Sequence, residues 1–84
     1  METLDRAAII ALLVAAGNRR DLATMYADQL AQYRIASANL AEHGAIVMHP
    51  RTNNPIENPF LKVRDSALRA LQNMRTVRGA EGLW

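Results

Sequence analysis

A run of ten apolar residues, Ala7 to Ala16, is the feature that most limits how this chain can fold. The run is too short to cross a bilayer, which takes about 20 residues as a helix. It also lacks the charged start and the cleavage site of a secretory signal. It therefore reads as a buried helix, predicted over residues 4–16 with Thr3 as its N-cap. Ile9, Ile10, Leu12, Leu13 and Val14 leave almost no polar face after Arg6, and a helix that is apolar all round has to be covered on several sides. Few other elements are available to cover it in a single domain of 84 residues. Neighbouring copies of the chain resolve the difficulty, and Ile9, Ile10 and Leu13 are assigned to an oligomer interface.

Composition points the same way. Half of the residues are apolar, but many are alanine, and the aromatics are few: Tyr26, Tyr33, Phe60 and Trp84. Such a core buries little area per residue, and a chain this short is close to the lower limit for standing alone. Cysteine is absent, which excludes disulfides and thiolate metal sites and fits a cytoplasmic protein.

Gly17 stops the first helix, because glycine adopts the left-handed C-cap conformation without a Cβ clash. Asn18, with Asp21 three positions later, resembles a capping box for a second helix over residues 19–43, closed by Gly44. At 1.5 Å per residue that helix is a rod of roughly 37 Å. Leu22, Tyr26, Leu30, Tyr33 and Leu40 recur at helical spacing as its main apolar stripe. Beside them Ala23, Ala27, Ala31, Ala38 and Ala41 make a stripe of small residues that admits a close helix. Intrachain packing and a subunit interface are equally open for this stripe; Ala23, Ala27, Ala31 and Ala38 are carried forward as interface candidates.

Residues 45–57 are the only long non-helical stretch. Pro50 and Pro55 exclude helix, Ile46-Val47-Met48 suits a short strand, and Arg51-Thr52-Asn53-Asn54-Pro55 suits a turn, so a short loop or β-hairpin is expected. A third helix over residues 59–78 starts at Asn58-Pro59, with asparagine as cap and proline at the first helical position. Phe60, Leu61, Ala67, Leu68, Leu71 and Met74 form its buried stripe, opposite Lys62, Asp65, Arg69, Gln72 and Thr76. Arg64, Arg75 and Arg78 lie nearer the apolar stripe and are expected to pair with Asp21, Asp28 or Glu42. The fold class is all-α, three helices built on a long helical hairpin.

No catalytic constellation is present. His43 and His49 have no partner ligands at metal-binding spacing. The four glycines are isolated, so no phosphate-cradling loop exists, and Ser37 and Ser66 lack the context of a nucleophile. An enzyme, a metal site and a cofactor are not expected. Binding remains. The net charge is only +2, but Lys62, Arg64, Arg69, Arg75 and Arg78 face one acid, Asp65, between residues 62 and 78, which suggests a basic surface. The nucleic-acid candidates are Arg19 and Arg20 at the start of the second helix, Arg51 in the loop, and Lys62 and Arg69 on the third helix. The other reading of each is an ordinary surface cation. Leu83 and Trp84 in the tail either contact a partner or fold back onto the chain.

The order of these pieces resembles a known family. Tyr26-Ala27 to Tyr33-Arg34 on a long helix, then Glu42-His43-Gly44-Ala45-Ile46-Val47, a loop bearing proline and asparagine, Asn58-Pro59 and a basic helix look like the phage terminase small subunits, over about residues 19–83. The resemblance implies a ring of many subunits in the bacterial host cytoplasm. Such a ring engages double-stranded DNA, here weakly and without sequence specificity, and activates a separate large subunit carrying the ATPase and nuclease. Relatives usually carry more sequence before the first helix and continue after glycine-leucine with threonine-proline and an arginine. Here Gly82-Leu83 leads to Trp84, as in a minimal prophage or gene-transfer-agent version. A rival reading of the same residues is a small dimeric helical DNA-binding regulator of antitoxin type; another is a purely structural interaction module.

Overall fold

A computed structural model describes residues 5–74, 76–80 and 83. Three helices, α1 (Arg6–Ala15), α2 (Arg20–His43) and α3 (Phe60–Asn73), carry most of them, with a hairpin of β1 (Ile46–Met48) and β2 (Pro55–Glu57) between α2 and α3.

Asp5 caps α1, its carboxylate accepting from the Ala8 N–H at 2.8 Å; the expected cap, Thr3, lies outside the described residues. The end of α1 is a Schellman turn. Gly17 sits at φ +102°, its N–H donates to Val14, and the N–H of Asn18 donates to Leu13, so the last carbonyls are satisfied as the chain reverses. The expected capping box at Asn18 is not formed. Arg19 is the cap residue of α2 and provides no side-chain bond. Asp21 accepts from its neighbour Leu22, and the Asn18 side chain is used elsewhere. Gly44, at φ +81°, ends α2 as expected.

The hairpin pairs Ile46 with Glu57, Val47 with Ile56 and Met48 with Pro55. Its turn places Asn53 at φ +56°, a conformation asparagine tolerates better than other side chains, and His49 Nδ1 accepts from the N–H groups of Arg51 and Thr52. Two short strands are marginal alone; Asn58 ties them down. Its backbone N–H donates to Ala45, its amide donates to Asn39 Oδ1 and to the Gly44 carbonyl, each at 2.9 Å, and its Oδ1 accepts from Phe60 N–H at 3.0 Å. Asparagine therefore caps α3 as the sequence suggests, and the same side chain also holds the end of α2.

Expected to reach residue 78, α3 instead stops at Asn73. Tertiary packing overrides the helical pattern: Met74, Val77 and Ala80 lie against the core, and a helix continued through them would carry them past it. The core consists of Ile9, Ile10 and Leu13 from α1, Ala23, Tyr26, Ala27 and Leu30 from α2, Leu71 from α3, and Leu83. The α2 members of this cluster lie in the first half of that helix; farther along, Ala36 of α2 and Ala67 of α3 are also buried. The core thus occupies one end of the molecule, while the far half of α2 reaches out to the hairpin. The chain is correspondingly elongated, 50 × 26 × 18 Å. Its radius of gyration of 15.3 Å exceeds the roughly 12 Å of a compact chain this long.

Candidate functional site

The residues assigned to a subunit interface divide in two. Ile9, Ile10, Leu13, Ala23 and Ala27 are buried in the chain's own core, so intrachain packing accounts for them, a correction to the interface assignment. The continuous apolar run that made α1 look apolar on every side is met on one side by α2. Ala31 is half-buried and Ala38 exposed, which leaves these two available to a neighbour. The uncovered side of α1 lies elsewhere on the helix. Ala7, Ala11, Leu12, Val14 and Ala15 are exposed, and Leu12 keeps 51% of its surface. No polar side chain interrupts this face between Arg6 and Gly17.

Leu83 is also interior, with 7% of its surface exposed, and Arg34 donates to its carbonyl at 2.5 Å. Of the two tail readings, folding back is the one that holds for Leu83; Trp84 lies outside the described residues.

The five basic candidates are all exposed but do not converge. Arg19 and Arg20 stand at the start of α2, at the core end. Arg51 is in the hairpin turn beyond the other end of that helix. Lys62 and Arg69 are two turns apart on the outer side of α3. Arg78, read from sequence as an ion-paired residue, lies beside the first pair instead. Asn18 holds it there: the amide nitrogen donates to the carbonyls of Leu13 at 2.7 Å and Arg78 at 2.8 Å, and the amide oxygen accepts from the Arg78 N–H at 2.8 Å. Asn18 is 9% exposed and fully engaged. Sequence reasoning missed it because an asparagine after a helix-stopping glycine also fits a local cap.

The acids have partners other than those expected. Asp28 pairs with Arg6 at 2.6 Å, Asp21 with Arg19 at 3.1 Å, and Arg64 with its neighbour Asp65 at 3.4 Å; Glu42 lies 3.8 Å from His43. Arg75 lies outside the described residues. The hydrogen bond and charge of Arg6 hold the Asp28 carboxyl below its usual range. A depressed carboxyl favours the folded state above the unfolded carboxylate range, and that contribution fades as pH falls through the folded value. Both groups are solvated, so the effect is small. Asp28→Asn is expected to lower the melting temperature slightly at neutral pH, with the gap to the parent closing in acid; thermal scans at several pH values check it.

Among the described residues no group of three or more His, Cys, Asp or Glu side chains could hold a metal ion, and no helix is long and apolar enough to cross a membrane. A shallow groove of about 330 Å³ between α2 and α3 is lined by Gln29, Gln32, Lys62, Val63, Ser66 and Ala67. It presents the Ser66 hydroxyl and the Lys62 ammonium, with no acid or imidazole among its lining residues.

Compared with known proteins, residues 7–79 match the family model described as phage terminase, small subunit. No curated protein and no solved structure matches the chain significantly.

Proposed function

This chain belongs to the phage terminase small-subunit family, and on that footing we propose that it is a non-catalytic adaptor in viral-type DNA packaging. In this reading copies of the chain assemble into a ring in the host cytoplasm, engage double-stranded DNA, and regulate a large subunit that carries the ATPase and nuclease. The observation that supports assembly is the outward face of α1: Ala7, Ala11, Leu12, Val14 and Ala15 are exposed side by side. A continuous apolar face rimmed by polar residues marks an interaction surface, and in a ring this face of each copy packs against a second, different face of the next copy. Ala31 and Ala38 are further candidates for close helix approach. The large subunit does not reach Leu83 while that residue is docked in the core.

DNA engagement in this reading rests on phosphate contacts from Arg19, Arg20, Arg51, Lys62 and Arg69. Such contacts give affinity without sequence readout and weaken steeply with salt. Spread along one protomer, they gain strength by repetition around the assembly.

Native mass spectrometry at micromolar concentration tests the reading. The parent chain is expected to appear as a closed oligomer, and the double variant Leu12→Glu, Val14→Glu as folded monomers, since both side chains are exposed and the changes leave the intrachain core intact. A parent chain that stays monomeric would overturn assembly. A stable dimer with tight preference for one duplex sequence would favour the regulator reading.

A further inference from the structure

Arginines from two distant parts of the sequence are anchored at the core end of the molecule. Arg19 and Arg20 open α2 directly after Asn18, and the Asn18 amide bonds both backbone groups of Arg78 at 2.8 Å, which brings the backbone of Arg78 to the residue preceding that pair. The Arg19 guanidinium is solvated and shares Asp21. Arg20 and Arg78 are exposed and make no ion pair among the described residues. Among the described residues, these three cations have one acid paired with them, Asp21, while Asp28 and Asp65 pair with Arg6 and Arg64.

The grouping is conditional. Arg78 reaches it only because the segment after α3 folds back, held by the Asn18 amide, by Leu83 in the core with Met74, Val77 and Ala80 packed against it, by the Arg34 bond to the Leu83 carbonyl, and by the close passage of Gly79. Gly79 lies at φ +73°, and a Cβ there would come within 2.8 Å of the Ala16 Cβ, so the backbone passes too close to the end of α1 for any other residue.

We infer that Arg19, Arg20 and Arg78 form a composite grip for the phosphate backbone of duplex DNA, assembled only while Asn18 holds the C-terminal segment in place. The inference rests on the DNA-engaging reading above and deepens it. Arg78 is the phosphate contact and Asn18 the positioning residue. A partner that pulled the C-terminal segment off the core would remove one cation from the grip of every protomer, which ties the state of the tail to the hold on DNA.

Fluorescence anisotropy with a short random-sequence duplex, titrated across a salt series, tests this with the full chain. Arg78→Gln changes an exposed side chain and is expected to weaken binding and to reduce the slope of log affinity against log salt by about one per protomer engaged. Asn18→Ala is expected to do the same, and adding Arg78→Gln to it to change nothing further. Gly79→Val undocks the segment by a different route and is expected to make Arg78→Gln silent as well. Circular dichroism of each variant keeps loss of fold apart from loss of grip. If the parent chain binds no duplex at any salt concentration, the DNA-engaging reading falls and this inference with it. If the parent binds and Arg78→Gln binds equally well, the composite grip is overturned while that reading stands. A full Arg78→Gln effect in the folded Asn18→Ala background overturns the positioning role.

Discussion

Leu13→Ala is expected to leave much of the protein unfolded at 25 °C. Leu13 has no exposed surface and sits among Ile9, Ile10 and the α2 core residues. Removing a fully buried leucine costs roughly 3–5 kcal/mol, the lost transfer energy plus that of the cavity left behind. A chain of 84 residues has a total stability of about 4–13 kcal/mol, and an elongated chain with a one-ended core belongs near the bottom of that range. Urea titration followed by circular dichroism reads the loss. The informative companion is Leu12→Ala, one residue away on the uncovered side, which is expected to change stability by less than about 0.5 kcal/mol. Equal losses at Leu12 and Leu13 would show that α1 is covered on both sides within one chain and would remove the physical support for assembly. The comparison is made at low concentration, where any oligomer contributes least.

The second large effect is expected at Asn58. This residue is 2% exposed, and its side chain makes three hydrogen bonds: to Asn39, to the Gly44 carbonyl and from the Phe60 N–H. Asn58→Ala removes a helix cap, worth about 1 kcal/mol, and takes the donor away from two part-buried acceptors, Asn39 Oδ1 and the Gly44 carbonyl, each costing at most the roughly 1–3 kcal/mol of a fully buried group. A loss of about 3 kcal/mol is expected. Because the residue joins the end of α2, the hairpin and the start of α3, the damage should be regional. Hydrogen exchange is expected to accelerate most in β1, β2 and the first turn of α3, and least around Leu13 and Leu30. Asn58→Asp separates the contributions. It keeps the acceptor facing Phe60 and loses both donors, so its expected cost lies above that of a lost cap alone, with α3 still starting at residue 60. Uniform exchange along the chain in Asn58→Ala would show that the two ends unfold as one unit.

The parts of this fold that were legible in sequence are those fixed by local chemistry. Gly17 and Gly44 mark the ends of α1 and α2 because each needs a positive φ. Asn58-Pro59 marks the start of α3 because cap and first-turn preferences act within three residues. The polar side of α3 was legible too, since Lys62, Asp65, Arg69 and Gln72 follow the helical repeat and are exposed. What was hidden depends on contacts across the chain. Asn18 has the same local credentials as a cap, and only the arrival of Arg78, sixty residues later, directs its amide elsewhere. The end of α3 was misplaced for the same reason: nothing between Asn73 and Arg78 forbids helix, but Met74, Val77 and Ala80 gain burial by leaving it. Interface and core were confused on α1 because an apolar pattern states how much surface must be hidden without stating what hides which side. Of the candidate DNA contacts, exposure was readable for each residue separately; their grouping was not, because Arg78 joins Arg19 and Arg20 only through the tertiary fold.

The placement of the core at one end of a long α2 has a mechanical consequence. The helix is a lever about 36 Å long, held by α1 and the returning segment at its base, braced along its length by α3, and carrying the hairpin at its tip. A tilt of about 5° at the clamped end sweeps the tip through roughly 3 Å, close to the width of one residue along a strand. Anything that seats the hairpin fixes the angle at which α1 leaves the base, so the proposed assembly through the α1 face predicts one common pitch for all copies.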